Sequence, residues 1–302
     1  YFTSLDALGY PTHNTSGTPA YGYGTSFTTT VTGSGITRVE TINYINGGET
    51  VIGSNTTRNL PDAVNTASTD PAAFGQIGKL GLGDMEISDD GRFLFVTNLY
   101  DRKIYQLQLN SVTNPTAASV INSWSLPNPP LRSASGISGA AATYSGVNDN
   151  TDFYTGSRGM QRPFGLKFYK GKLYVCAVTT AEGSAAVSIT DDNTGNPEYT
   201  DMWAYVWELN ASGSFSSNPV VQFPLNFYRG FDGDSVDETW NPWTNTFVAP
   251  TGTMSLGGEG GYPQPMFTGI EFDIDGSLIL AFRDRAGDQG GTDQAMMTIG
   301  GP

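Results

Sequence analysis

The segment Phe282-Arg283-Asp284-Arg285-Ala286-Gly287-Asp288-Gln289 places four charged groups within six residues, in a chain of which only 15% is charged. On an extended backbone Arg283 and Arg285 share one face, where two guanidinium groups can clamp a carboxylate or a sulfate, with Asp284 and Asp288 beside them. An internal Arg–Asp network that fixes neighbouring elements uses the same residues. Carboxylates offer a second chemistry. Glu86 and Glu271 stand at matching positions before Asp-Gly turns, so two acids can converge on one cation or remain as two solvated carboxylates. Asp232, Asp234 and Asp237, in Asp232-Gly233-Asp234-Ser235-Val236-Asp237-Glu238, and the run Asp191-Asp192-Asn193-Thr194-Gly195-Asn196 supply closely spaced hard oxygen donors. Calcium is the cation that such donors favour, although neither run fits an EF-hand loop and both also read as ordinary Asx turns.

Aromatic residues offer a third possibility. Trp203, Tyr205 and Trp207 alternate, so on a strand all three point to one side, either as a sugar-stacking platform or as packing between sheets. Trp240-Asn241-Pro242-Trp243, near Tyr228 and Phe231 in an expected long loop, is the better place for an exposed aromatic surface that contacts a ligand or a protein. Asn14-Thr15-Ser16, Asn55-Thr56-Thr57 and Asn210-Ala211-Ser212 match the glycosylation triplet, a pattern that arises easily in so polar a chain.

Other chemistries are excluded by what is scarce. The single histidine, His13, lies in a Gly/Ser/Thr/Pro-rich leader, which leaves a Ser-His-Asp triad without a placed imidazole. The single cysteine, Cys176, sits within the apolar run Leu173-Tyr174-Val175-Cys176-Ala177-Val178 and reads as a small buried hydrophobe, so no thiol framework or Cys-rich zinc site can form. A net charge of −14 lacks the basic footprint that nucleic acid or anionic lipid requires. No run of residues is long and apolar enough for a transmembrane helix, and the chain is expected to begin after any export signal.

The elements that must position these residues are strands. With 38 Gly, 17 Pro and 12% aromatic residues in 302, the chain has the composition of a folded, turn-rich protein. Helical periodicity is almost absent. Asp84-Met85-Glu86-Ile87, the turn Asp89-Asp90-Gly91, Arg92–Thr97, the turn Asn98–Arg102, Lys103–Leu109 and Ser119–Leu126 predict a four-stranded meander. The order recurs in Gly165–Phe168, Lys170-Gly171, Lys172–Val178, Met202–Leu209 and Pro219–Leu225. A third, shorter copy runs through Gly269–Phe272, Asp275-Gly276 and Ser277–Phe282, with no convincing third strand after it.

Self-similar four-stranded units predict an all-β, β-propeller-like fold of antiparallel blades with long loop insertions, either an incomplete propeller of three or four blades or one with further blades that the repeat does not reveal. Residues 1–80 read as a polar leader with a degenerate first blade at Ser26–Val31 and Ile36–Ile45, and residues 81–302 as blades with long rim loops at 127–161, 181–201 and 229–262. The first strand of each blade lines the central channel, which is what brings Glu86 opposite Glu271.

Asp84–Gly91 with Asn98–Arg102, Arg162–Lys167, and Tyr262–Met266 through Phe282–Gln289 resemble an uncharacterised family of large bacterial surface proteins. The resemblance covers about residues 80–290. It is similar in broad design to the NHL and YVTN propellers, and in that family the region often precedes serine-aspartate-repeat-type B or immunoglobulin-like domains. It implies an extracellular or cell-surface location and a binding or structural role. The expected function is therefore a non-catalytic module for adhesion or assembly, whose rim loops contact other surface proteins, copies of itself or glycans. The alternative is a metal-dependent propeller enzyme, lactonase- or lyase-like, that uses Glu86 and Glu271 around a channel-bound ion.

Overall fold

The computed structural model describes residues 41–42, 45, 47, 57, 74–115, 117–133, 136–141, 160–181, 187–190, 197–198, 202–225, 227, 240–245 and 263–289. In chain order the strands are β1 (Thr41–Ile42), β2 (Leu82–Ile87), β3 (Phe93–Asn98), β4 (Lys103–Leu109), β5 (Ala117–Ser125), β6 (Pro130–Ser133), β7 (Gly136–Ala141), β8 (Gln161–Tyr169), β9 (Lys172–Thr179), β10 (Val187–Thr190), β11 (Pro197–Glu198), β12 (Trp203–Leu209), β13 (Val221–Pro224), β14 (Pro265–Phe272) and β15 (Leu278–Asp284), followed by one helical turn, α1 (Arg285–Gln289). The architecture is all-β, and nearly all pairing is antiparallel.

Sheet 1 has the order β1-β5-β4-β3-β2 and sheet 2 the order β13-β12-β9-β8, while sheet 3 is the hairpin β14-β15. The two predicted meanders and the predicted third hairpin are therefore present. Thr41–Ile42 adds to the outer edge of sheet 1 in parallel with β5. Two of the three segments expected to be long loops, 127–161 and 181–201, carry hairpins of their own, β6-β7 and β10-β11. Among the described residues the sheets do not close into a ring, and no helix is long and apolar enough to cross a membrane.

Turn chemistry sets the hairpins. Tyr169 pairs with Lys172 across Lys170 and Gly171, both with positive φ (50° and 77°), which is the two-residue turn whose twist matches that of the strands. At Asp273–Ser277 the amide of Gly276 donates to Asp273 O (2.9 Å), Asp273 N donates to Ser277 O (2.8 Å), and Gly276 takes φ 88°. The side chains of Asp90 and Asp275 accept amides two residues on, which stabilises both turns locally.

The register shows how alike the three sheets are. From Met85↔Val96 the ladder of sheet 1 next pairs Leu82↔Asn98. From Leu166↔Val175 that of sheet 2 reaches Pro163↔Ala177, and from Ile270↔Leu280 that of sheet 3 reaches Phe267↔Phe282. Each advances three residues on the first strand for two on the second, so each first strand carries a bulge of one residue at the same place. A bulge bends its strand and frees an amide, and here it does so where β8 packs against both β2 and β14.

The sheets stack in chain order. One layer of core joins sheet 1, through Phe95 and Ile104, to Leu166, Leu173, Val175, Tyr205, Trp207 and Leu209 of sheet 2. The opposite face of sheet 2, through Cys176, Val178, Ala204 and Val206, packs on Met266, Phe267 and Ile270 of sheet 3, with Trp240 and Trp243 in the same cluster. Because sheet 2 is covered on both faces, β9 and β12 read as continuous apolar runs without polar alternation. Corresponding residues repeat the contact between sheets. Phe95 of β3 stacks on Phe168 of β8 (5.5 Å), and Tyr174 of β9 meets Phe272 of β14 (4.8 Å).

Candidate functional site

The bulged first strands meet at a small charged cluster. Register alignment makes Glu86, Lys167 and Glu271 the same position in the three sheets, and the structure brings all three together. Lys167 Nζ lies 2.8 Å from Glu271 Oε1 and 3.3 Å from Glu86 Oε1. The predicted convergence of Glu86 and Glu271 is thus present, with an ammonium between them in the place expected for a metal cation. Its hydrogen bond to Glu271 holds the Lys167 proton more tightly than usual, against an opposing cost of burial and with further help from Glu86. Among the described residues no group of three His, Cys, Asp or Glu side chains is gathered for a metal ion. Asp232, Asp234 and Asp237, the Asp191–Asn196 run and His13 lie outside the described residues.

Two residues up each first strand stand Asp84, Gly165 and Gly269. Asp84 Oδ2 accepts the freed amide of Leu166 at 2.9 Å, and its Oδ1 accepts Met85 N at 2.8 Å. Burial raises the Asp84 pKa above its ordinary 3.8, although the two amides and Lys167 pull the other way. A Cβ on Gly165 would stand 2.9 Å from both Gly269 N and Thr268 C, so glycine is what lets β8 lie against β14. These groups fasten the strands together. Among them sequence reasoning paired the two acids and missed Lys167, although the alignment of Gly165-Leu166-Lys167-Phe168 with Asp84–Ile87 already contained it.

The Arg-Asp segment departs from its extended reading. β15 ends at Asp284, whose Oδ1 accepts Ala286 N and Gln264 N, each at 2.9 Å, and so caps α1. The chain turns there, which separates the two arginines instead of aligning them. Arg283 stays on the exposed face and pairs with Asp288. Burial raises the Asp288 carboxyl pKa, with Arg283 opposing.

Arg285 turns inward and is fully buried. It donates to Ile77 O (2.7 Å), Thr244 O (2.7 Å), Gly75 O (3.0 Å) and Gln264 Oε1, and its guanidinium lies 4.7 Å from the centroid of the Trp243 ring. This is a structural clamp that joins residues 74–81, 240–245 and 263–264 to α1. Arg285 thus fixes neighbouring segments through backbone carbonyls and Gln264 and not through an Arg–Asp network, while Arg283–Asp288 is a local pair within the segment.

Trp240 and Trp243, expected on an exposed loop surface, are buried. Trp243 Nε1 donates to Pro265 O at 2.8 Å, and the ring is approached by both Arg285 and, at 5.7 Å, Arg162. The reason is compositional: flanking Gly, Asp and Ser mark the segment as loop, but two indoles carry enough apolar area to fold back into the core. Tyr205 and Trp207 pack between sheets 1 and 2, with Trp203 partly buried beside them and Trp207 Nε1 donating to Gln161 Oε1 at 2.8 Å. Cys176 is buried, as its apolar neighbours predict, and burial raises its thiol pKa well above normal. The Asn210 side chain is engaged in its own turn, accepting from Ser212 N, Ser212 Oγ and Ser214 N.

No protein-family model matches the chain, and no curated protein or solved structure matches it.

Proposed function

We propose that this chain is a non-catalytic, extracellular surface module for adhesion or structural assembly, its sheets arranged radially as propeller-like blades. Loops that join successive sheets contact other surface proteins, copies of the chain or glycans. The observation that carries this reading is how the functional-looking charges are used. Glu86 and Glu271 hold an ammonium, Asp284 caps a helix, and Arg285 is consumed by backbone carbonyls. Those groups fasten the sheets to one another. Radial arrangement is supported by the order of stacking and by first strands that meet at equivalent bulges. The surface location rests on scarce lysine, a single thiol and abundant Thr, Ser, Asn and Gly.

The test combines light scattering on the isolated chain over a range of concentrations with a glycan array and a panel of lactone and polysaccharide substrates, with and without calcium. Self-association or glycan retention without turnover is the expected result. A strictly monomeric chain that retains no glycan, or calcium-dependent turnover abolished in Glu86→Gln/Glu271→Gln, overturns it.

A further inference from the structure

Sheets 1 and 2 place a third strand on their second, and the two third strands share a pattern. Opposite Thr97, Val96, Phe95 and Leu94 of β3 lie Ile104, Tyr105, Gln106 and Leu107 of β4. Opposite Cys176, Val175, Tyr174 and Leu173 of β9 lie Val206, Trp207, Glu208 and Leu209 of β12. The position reads twice as a β-branched residue, an aromatic, Gln or Glu, and Leu. In sheet 3 the same ladder positions belong to Ala281, Leu280, Ile279 and Leu278 of β15, and among the described residues no strand pairs with the outer edge of β15.

Among the described residues no strand covers that edge, and its only charged side chains, Arg283 and Asp284, stand at its C-terminal end, where Arg283 pairs with Asp288 and Asp284 caps α1. β13, the outer strand of sheet 2, is four residues long and ends in Pro224, and β5 is flanked by β1. β15 has seven residues and neither Pro nor Lys. Ala281 O is turned toward β14, where Thr268 Oγ1 reaches it, so the alternation of an antiparallel ladder turns the N–H and C=O of Leu278, Leu280 and Phe282 outward. Beside this edge the apolar surface continues. Phe223 of β13 meets Phe282 edge-on at 6.0 Å and Phe227 at 6.3 Å, and Phe227 is 42% exposed.

We infer that the outer edge of β15 is a docking site for an extended segment of another polypeptide, which adds antiparallel as a third strand and presents a β-branched residue, an aromatic, Gln or Glu, and Leu in succession. Its backbone bonds the groups of Leu278, Leu280 and Phe282. Its aromatic side chain faces the ladder position of Leu280, and its Leu that of Leu278. The ladder supplies affinity and the alternating side chains supply selectivity. The inference rests on the assembly reading above and gives it one surface and one partner chemistry.

The experiment titrates the full chain with a labelled synthetic peptide of the sequence Lys103–Leu109, and with its scrambled form, by fluorescence anisotropy and amide hydrogen exchange. Saturable binding of the ordered peptide alone, with exchange at Leu280 and Phe282 slowed at least tenfold, is expected. Leu280→Pro removes the outward N–H and is expected to abolish binding; the exchange data on the unsubstituted chain stand whether or not that variant folds. The inference is overturned if the peptide does not saturate, or if the Leu280 and Phe282 amides of the free chain are already as slow as those paired within β9 and β12. If light scattering or the array shows association while the peptide fails, the edge assignment falls and the assembly reading stands. A peptide that binds a chain showing neither self-association nor glycan retention leaves the edge standing and removes the broader reading.

Discussion

Asp84 does two jobs with one carboxylate: it receives the amide that the bulge in β8 frees, and it does so from a half-buried position beside Lys167 and the two glutamates. Its folded-state pKa is raised above 3.8, mainly by burial. The folded chain therefore binds this proton more tightly than the unfolded chain does. The contribution is complete below the unfolded value and is lost as pH rises through the folded one. Asp84→Asn is expected to cost about 1 kcal/mol in acid through a weakened hydrogen bond to Leu166. The deficit relative to the original chain should shrink as pH is raised, which urea denaturation at a series of pH values measures. A deficit that grows with pH contradicts the burial argument. The meeting of Glu86 with Glu271 was legible because both stand at the same offset from an Asp-Gly turn. The fate of Arg283 and Arg285 was not, because a single capping carboxylate at Asp284 converts strand to helix and sends one arginine outward and the other into the core.

Strands and turns were the most legible elements, since a two-residue period and glycines such as Gly171 and Gly276 mark them within a few positions. The shared bulge was only partly legible: a glycine inside a strand pattern, as at Gly165 and Gly269, marks a bulge or a close approach, whereas Asp84 carries no such mark, and what unites the three is pairing across each hairpin. Loop composition misled at Trp240 and Trp243, where packing overrides the polar neighbours. Two glycines separate close approach from backbone conformation. Gly165→Ala pushes β8 away from β14 and is expected to cost about 1–3 kcal/mol. Gly171→Ala meets nothing within 4 Å and bears only the strain of φ 77°, about 1 kcal/mol. Thermal melts of the two variants compare them directly, and equal losses would mean that the strands can separate at little cost.

At the scale of the molecule, sheet 2 is the only sheet among the described residues that is packed by another sheet on both faces, and its ladder residues Cys176 and Val206 are fully buried. Opening free energies should therefore fall outward from this centre. Native-state hydrogen exchange is expected to be slowest at the paired amides of β9 and β12 and faster at the inner, paired amides of β15, whose far face exposes Ile279 by 58%. Uniform protection would show that the stack opens only as a whole. The same layering governs the redox behaviour of the one cysteine. Its lone thiol, Cys176, is enclosed between the second and third sheets, so while they remain in contact no intermolecular disulfide can form through it and no oxidant can reach it. The inertness of this thiol in an oxidising milieu and the mechanical integrity of one seam are thus a single property, and the first oxidised thiol would report that the seam has parted.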